Sequence, residues 1–273
     1  MPDDEPQDIY LEVAEAIAIK VQVDAQYLEE GDDREAARQL LGRIDRSVVK
    51  PATMTTPYGV TLGTIYKQLL ETNLIKSCKD PEKCARYLAR VLVETIPEVA
   101  PEAGRIMTWL RGIARTLGKA GLGMAWTSPA SFPVGHEMRE PKECRLATAD
   151  KRIIIYEHDQ TRAIDWRKQV DGIVAHLVHS LDAAHMMLTV NRLHSEGLRH
   201  FAMVHDSFGV HACDVDLLNR VLRDEFVRIY SEPVMMNFFK EVWLANPGVL
   251  LPALPPPGTL DIQQVIASPY FFA

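Results

Sequence analysis

Residues 200 to 212 read HFAMVHDSFGVHA, with apolar FAMV and FGV flanking His205, Asp206 and Ser207. The pattern predicts strand, polar turn, strand, with one carboxylate raised on a tip between two buried strands. Asp and Ser are among the commonest turn residues, so an ordinary hairpin turn accounts for it as well. Against that plain account, apolar residues press right up to the acid, and His211 and Asp214 follow in the second arm. A carboxylate fixed at such a junction can hold Mg²⁺, a hard cation that takes a few protein oxygens and fills its shell with water and phosphate.

A second set lies far upstream. Arg46, Lys50, Met54 and Tyr58 recur every fourth residue, which in a helix stacks two cations, a thioether and a phenol along one slowly drifting ridge. Arg and Lys can grip a triphosphate while Tyr floors a base or sugar. A basic helix end with a Tyr packed on the core fits the same spacing. Pro51 costs about 3 kcal/mol inside a helix unless it falls in the first turn, and Ser47 is the available N-cap that would place it there. Pro57 is expected to kink or end the helix just before Tyr58 and Gly59.

These groups need a scaffold, and the chain has the length for one. Its 273 residues are 47% hydrophobic and 25% charged, which excludes disorder, collagen and small disulfide scaffolds. Cys78, Cys84, Cys144 and Cys213 show no metal-ligand rhythm and are expected as free thiols. No apolar run approaches the roughly 20 residues of a membrane span, and MPDDEPQDIY is acidic where a secretory signal would be basic and then apolar. The expectation is a soluble protein of the cytoplasm, with no membrane partner. The net charge of −7 argues at first against nucleic acid, yet residues 1 to 45 carry −9, leaving +2 on residues 46 to 273.

Helical spacing runs from Asp8 to Tyr27, through REAARQLLGRI to a close near Gly42, over 81 to 96, and over 102 to 121. Pro97 and Pro101 punctuate the last two. On the latter, Arg111, Arg115 and Lys119 stand four apart, a solvated face unless it fronts a cleft. An extended excursion, ending in the β-branched RIIIYEH, covers about 126 to 160. A helix from Ile164 to Gly197 precedes the Asp206 hairpin, and another, DVDLLNRVLRDEFVRIYSE, follows it.

The ordered pair RxxxKxxxMTxxYG at 46 to 59 and VHDSFG at 204 to 209 resembles motifs B and C of the phage-type single-subunit DNA-directed RNA polymerases. Further likenesses are WTSPASFPV at 126 to 134, HSLDAAH at 179 to 185, the opening QDIYLEVA, and the tail LPALPPPGTL before Phe272 and Ala273. The resemblance implies that Asp206 ligands catalytic Mg²⁺ and that Lys50 contacts the incoming triphosphate and is the candidate to protonate the leaving pyrophosphate. It makes Arg46 a phosphate ligand and sets Tyr58 beside the nucleotide sugar, with Met54 and Gly59 in the same nucleotide pocket. It places His179 at the template and transcript duplex, with Asp182 and His205 as further nucleic-acid contacts, and a promoter-specificity hairpin over roughly 137 to 160. Ser207 and the Met54-Thr55 pair favour RNA over DNA synthesis.

The implied fold is α+β and predominantly α, the fingers and partial palm of a right-hand polymerase, with a β-hairpin carrying the metal-binding aspartate. Its expected divisions are 1–45 (helices after motif A), 46–125 (fingers), 126–163 (specificity hairpin) and 164–273 (palm and tail). Ala183 stands where the family pattern has glycine. Motif A, a DGxxxGxQH segment bearing the second metal-binding aspartate, does not occur here; Asp3, Asp4 and Asp8 precede the right helix without that context. The expectation is therefore a C-terminal fragment or subunit acting on DNA template, RNA transcript and NTPs. It would be inactive alone and completed by a polypeptide carrying motif A and the N-terminal domain. The alternative is a catalytically silent remnant that binds nucleic acid or a polymerase.

Overall fold

The computed structural model describes residues 7–147, 151–157 and 159–271. Asp3, Asp4, His158, Phe272 and Ala273 thus lie outside the described residues, as do 148–150 of the β excursion. The described chain forms two compact units that divide between Met107 and Thr108.

The first unit is helical throughout. Helix α1 (Ile9–Tyr27) is capped by Asp8, whose carboxylate accepts from Tyr10 N, and it buries Val13, Ala14, Ile17, Val21 and Ala25 on one stripe. Helix α2 (Asp32–Leu40) starts two residues before the expected REAARQLLGRI run, with Asp32, Asp33 and Glu35 in its first turn, where the helix dipole favours anions. Helix α3 (Arg46–Thr55) is followed by α4 (Leu62–Leu70) and α5 (Asn73–Lys76), each capped by a threonine, Thr61 and Thr72. Helix α6 (Pro81–Val99) opens with Pro81 at its first position behind the cap Asp80. It runs on through Pro97 instead of stopping at Ile96. A proline in the last turn costs one hydrogen bond and already has helical φ, so the helix survives it for two more residues. Ile17, Leu40, Val49, Ile65 and Leu88 meet in one apolar core. Helix α7 (Pro101–Lys119) begins in this unit.

In the second unit, α7 continues into three separate antiparallel pairs. Strand β1 (Met124–Thr127) pairs with β2 (Pro133–His136), and β3 (Lys142–Ala147) with β4 (Arg152–Glu157). The second pair leaves Leu146, Ile153, Ile154, Ile155 and Tyr156 exposed. Helix α8 (Trp166–Ser195), capped by Asp165, leads to the third pair, β5 (Ala202–Val204) with β6 (Ser207–Gly209). Helices α9 (Val215–Ser231), α10 (Val234–Ala245) and α11 (Gln264–Ala267) complete the chain. Ala183 leaves α8 unbroken.

Helix α8 corrects one expectation. It holds an 18-residue window of mean hydropathy 1.3 and is long and apolar enough, by length and composition, to cross a membrane. Three histidines and one aspartate interrupt this run, so no long unbroken apolar stretch stands out in the sequence. In the fold, Ile173, Val174, Leu177, Ala184 and Leu193 are buried inside the unit.

Candidate active site

Helix α3 carries the first constellation. Its N-cap is Asp45, not Ser47: the Asp45 carboxylate accepts from Ser47 N and Val48 N, and the Ser47 hydroxyl itself donates to it at 2.6 Å. An anionic acceptor beside two free N–H groups outcompetes a hydroxyl two residues later. Pro51 consequently sits in the helix interior, beyond the first turn. What holds the helix together around it is burial of Val48, Val49 and Ala52, together with a run of threonine hydroxyls on backbone carbonyls. Thr53 donates to Val49 O at 2.9 Å, Thr55 to Pro51 O at 2.8 Å and Thr56 to Ala52 O at 2.8 Å. Such back-bonding bends helices. The helix ends at Thr55, before Pro57, as expected, and Gly59 at φ +80° lets Val60 N return to Thr55 O at 3.2 Å. That left-handed residue is a common device for closing a helix end.

Arg46 and Lys50 share one neighbour that spacing did not reveal. The Arg46 guanidinium carbon lies 5.1 Å and the Lys50 ammonium 5.5 Å from the centroid of the Tyr10 ring on α1. Both cations thus rest on the electron-rich π system of one half-buried phenol. Arg46 also pairs with Asp8, the α1 cap. The Arg46 guanidinium holds the Asp8 carboxyl below its usual pKa, with Tyr10 N–H adding to the effect. Asp8 and Tyr10 are therefore the residues that pose the two cations. Only the quoted QDIY string hinted at them, and nothing in it names partners some forty positions away. Met54 and Tyr58 follow beyond the cations, 47% and 42% exposed.

The second constellation is in the other unit. Val204 pairs with Ser207, so His205 and Asp206 form a two-residue turn, with His205 in the left-handed region at φ 54°. The strands flanking Asp206 are not both buried as expected: Val204 is 65% exposed. In a pleated pair, alternate side chains face opposite ways. Met203 and Phe208, a cross-strand pair, turn inward and stay half-buried, while Val204 turns out. Phe208 packs on Leu193, Leu218, Val221 and Leu222 and stacks edge-on to His185, ring centroids 5.6 Å apart. His185 Nε2 in turn donates to Leu222 O at 2.9 Å, which fixes the hairpin's floor.

Asp206 is exposed on the tip and acts electrostatically on Asp182 of α8. Partial loss of hydration against α8 and its neighbours raises the pKa of the Asp182 carboxyl; His179 opposes this, and the negative charge of Asp206 reinforces it. The fold thus gathers His179, Asp182 and Asp206, three of the sequence candidates, around one hairpin, with His205 in the turn itself. A two-ion site for Mg²⁺ needs several oxygen ligands around ions roughly 3.5–4 Å apart. Among the described residues no cluster of three or more His, Cys, Asp or Glu is built to hold a metal. Asp206 fits as one carboxylate of such a site and cannot complete it.

The sequence model of the DNA-dependent RNA polymerase family matches residues 1–247. DNA-directed RNA polymerase 2A of Nicotiana tabacum is 34% identical over 274 residues, covering 98% of this chain and 82% of that one. DNA-directed RNA polymerase 2, chloroplastic/mitochondrial, of Nicotiana sylvestris is 34% identical, and DNA-directed RNA polymerase 1, mitochondrial, of Arabidopsis thaliana 31%, each over 98% of this chain. The chain spans 27% and 28% of the length of these last two. With the family matched over nearly the whole sequence, this mostly helical α+β chain belongs to the phage-type DNA-dependent RNA polymerases.

Proposed function

We propose that this chain supplies the nucleotide-gripping helix and one metal-anchoring carboxylate of a DNA-directed RNA polymerase that transfers nucleotides from NTPs to a growing RNA. The observation that carries the reading is the pose of Arg46 and Lys50 over Tyr10 on a helix whose exposed end bears Met54 and Tyr58. Two cations held side by side without full neutralisation suit a triphosphate, whose charge grows on the leaving oxygens during transfer. Arg46 orients the phosphates, and Lys50 holds them with a proton to give to the pyrophosphate. Tyr58, at the closed helix end, lies beside the sugar, with Met54 and Gly59 shaping that pocket.

Asp206 offers its carboxylate to Mg²⁺ at the hairpin tip, and His179, Asp182 and His205 line the approach of template and transcript. A divalent cation held there would supply Lewis-acid chemistry, lowering the pKa of the attacking 3′-hydroxyl and offsetting charge on the leaving oxygen. The second carboxylate this chemistry needs comes, in this reading, from polypeptide outside these 273 residues that carries the DGxxxGxQH segment.

The test is reconstitution. Mixed with a polypeptide carrying that segment and the N-terminal domain, the chain should direct Mg²⁺-dependent RNA synthesis from a DNA template, and Asp206→Asn should abolish it. Synthesis that survives both Asp206→Asn and Lys50→Ala would refute the assignment. A mixture that binds template yet never synthesises RNA would replace it with the silent nucleic-acid-binding alternative.

A further inference from the structure

Arg111, Arg115 and Lys119 stand on α7 opposite its buried Trp109, Leu110, Ile113, Ala114 and Leu117. Four residues advance about 6 Å along a helix axis, so the three cations form a row about 12 Å long. None of the three has an ion-pair partner among the described residues, whereas most arginines on other exposed helices do: Arg34 and Arg38 meet Glu30, Arg90 meets Asp33, and Arg192 and Arg220 meet Glu196. In a chain of net charge −7, a face left unneutralised stands out from ordinary solvated helix surface.

The row continues past the end of α7. Gly118 meets the start of α8 so closely that a Cβ there would lie 2.8 Å from Trp166 Cβ. This crossing brings the half-buried Trp166 indole beneath Lys119 Nζ, 5.4 Å from the ring centroid, and Arg167 Cζ, at 5.3 Å. An aromatic ring positions a cation without cancelling its charge, as a carboxylate would. Four charges therefore remain available along one surface of the second unit.

We propose that Arg111, Arg115, Lys119 and Arg167 bind the phosphodiester backbone of single-stranded nucleic acid. A straight row suits a flexible strand that can follow it, whereas a duplex presents phosphates along a curved groove and meets fewer of the four. Trp166 is a positioning residue, because its faces are taken up by the cations. The site acts by binding alone, independently of nucleotide transfer, so its test contains neither NTP nor Mg²⁺.

The experiment titrates the full chain into a fluorescent 20-residue oligodeoxythymidine at several KCl concentrations. Each cation neutralising a phosphate on a single strand contributes about 0.7 to the steepness of log K against log salt. The variant R111Q/R115Q/K119Q should lower that slope by about 2 and weaken binding at least roughly tenfold at low salt. A control of equal charge change on exposed residues of the first unit, K67Q/K76Q/R86Q, should lose far less. Apart from half-buried Arg111 these side chains are exposed, and an unchanged far-ultraviolet circular dichroism spectrum verifies folding of each variant; the double variant K119Q/R167Q, which leaves Arg111 and Arg115 in place, should lower the slope by about 1.4. An unchanged slope in both the triple and the double variant, an equal loss in the control, or wild-type chain that does not bind the oligonucleotide overturns the proposal. A 20-base-pair duplex that binds as tightly, with the same losses, overturns the commitment to a single strand.

Discussion

His136, at the end of β2, is fully buried, and its hydrogen bonds dictate where its proton sits. Nε2 faces the carbonyl of Gln169 at 2.8 Å; a carbonyl only accepts, so Nε2 carries hydrogen. Nδ1 of the neutral ring is then bare and faces Nδ1 of His176 on α8 at 2.7 Å, which makes His176 the donor. Burial pushes the His136 pKa down to about 4, the Gln169 carbonyl works against this, and His176 works with it. In the unfolded chain the group titrates near 6.5. The unfolded state therefore takes up its proton first, and stability is complete above about pH 6.5 and drains away as pH falls towards 4. Between pH 7.5 and pH 4.5 the loss is on the order of 2–3 kcal/mol from this one ring.

All four tryptophans, Trp109, Trp126, Trp166 and Trp243, lie in the unit that contains His136, so urea unfolding followed by tryptophan fluorescence reads that unit alone. The change in stability between pH 7.5 and 4.5 should be smaller by roughly 2–3 kcal/mol in His136→Gln than in the wild type. The comparison cancels contributions from His185 and Asp182, which titrate in both proteins and touch neither ring of the pair. Identical pH dependence in the two would refute the reasoning. So would imidazole ¹⁵N signals at pH 7.5 placing the His136 proton on Nδ1.

Four further outcomes are expected. Tyr10→Leu removes the ring beneath two cations and should weaken ATP binding by the full chain about 5- to 10-fold, while Tyr10→Phe keeps it; equal loss in both would assign the effect to the hydroxyl. Gly59→Ala forces a side chain into φ +80° and should destabilise the first unit by about 1 kcal/mol or more, read by chemical denaturation. Asp206→Asn sits on an exposed turn and should change stability by less than about 0.5 kcal/mol, which separates its effect on RNA synthesis from misfolding. Thiol labelling should modify exposed Cys213 first and leave Cys78 and Cys84 protected, since both are buried and burial pushes the Cys84 thiol up to about 12.

The parts of this fold that announce themselves in sequence are those governed by local rules. Helices α1, α6, α8 and α9 follow from caps and three-to-four spacing, and the turn at His205 and Asp206 from polar residues between apolar arms. The close of α3 follows from Pro57 and Gly59. The parts that stay hidden depend on competition or on distance. Asp45 and Ser47 are both good caps, and the competition between their side chains for the same N–H groups is settled only in the folded chain, in favour of the Asp45 carboxylate. Helix α10 is apolar nearly all round, VMMNFFKEVWLA, so it carries no period to read. The Asp8–Arg46 pair joins groups 38 residues apart, and no spacing rule reaches across that gap.

Asp182 shows how a site can be told from mere packing once the structure is known. Its raised pKa means the folded chain holds that proton more tightly than the unfolded one. By linkage, its ionised form costs stability at neutral pH, and the cost disappears as pH falls below the unfolded value. A carboxyl that serves only the fold would gain by becoming an amide, so Asp182→Asn should raise the urea midpoint of the second unit at pH 7.5. Two carboxylates that feel each other's charge beside a histidine are an arrangement common at acidic functional centres. If Asp182→Asn instead lowers stability at pH 7.5, the carboxyl is a structural hydrogen-bond acceptor. The case for a working acidic centre at this hairpin would then rest on Asp206 alone.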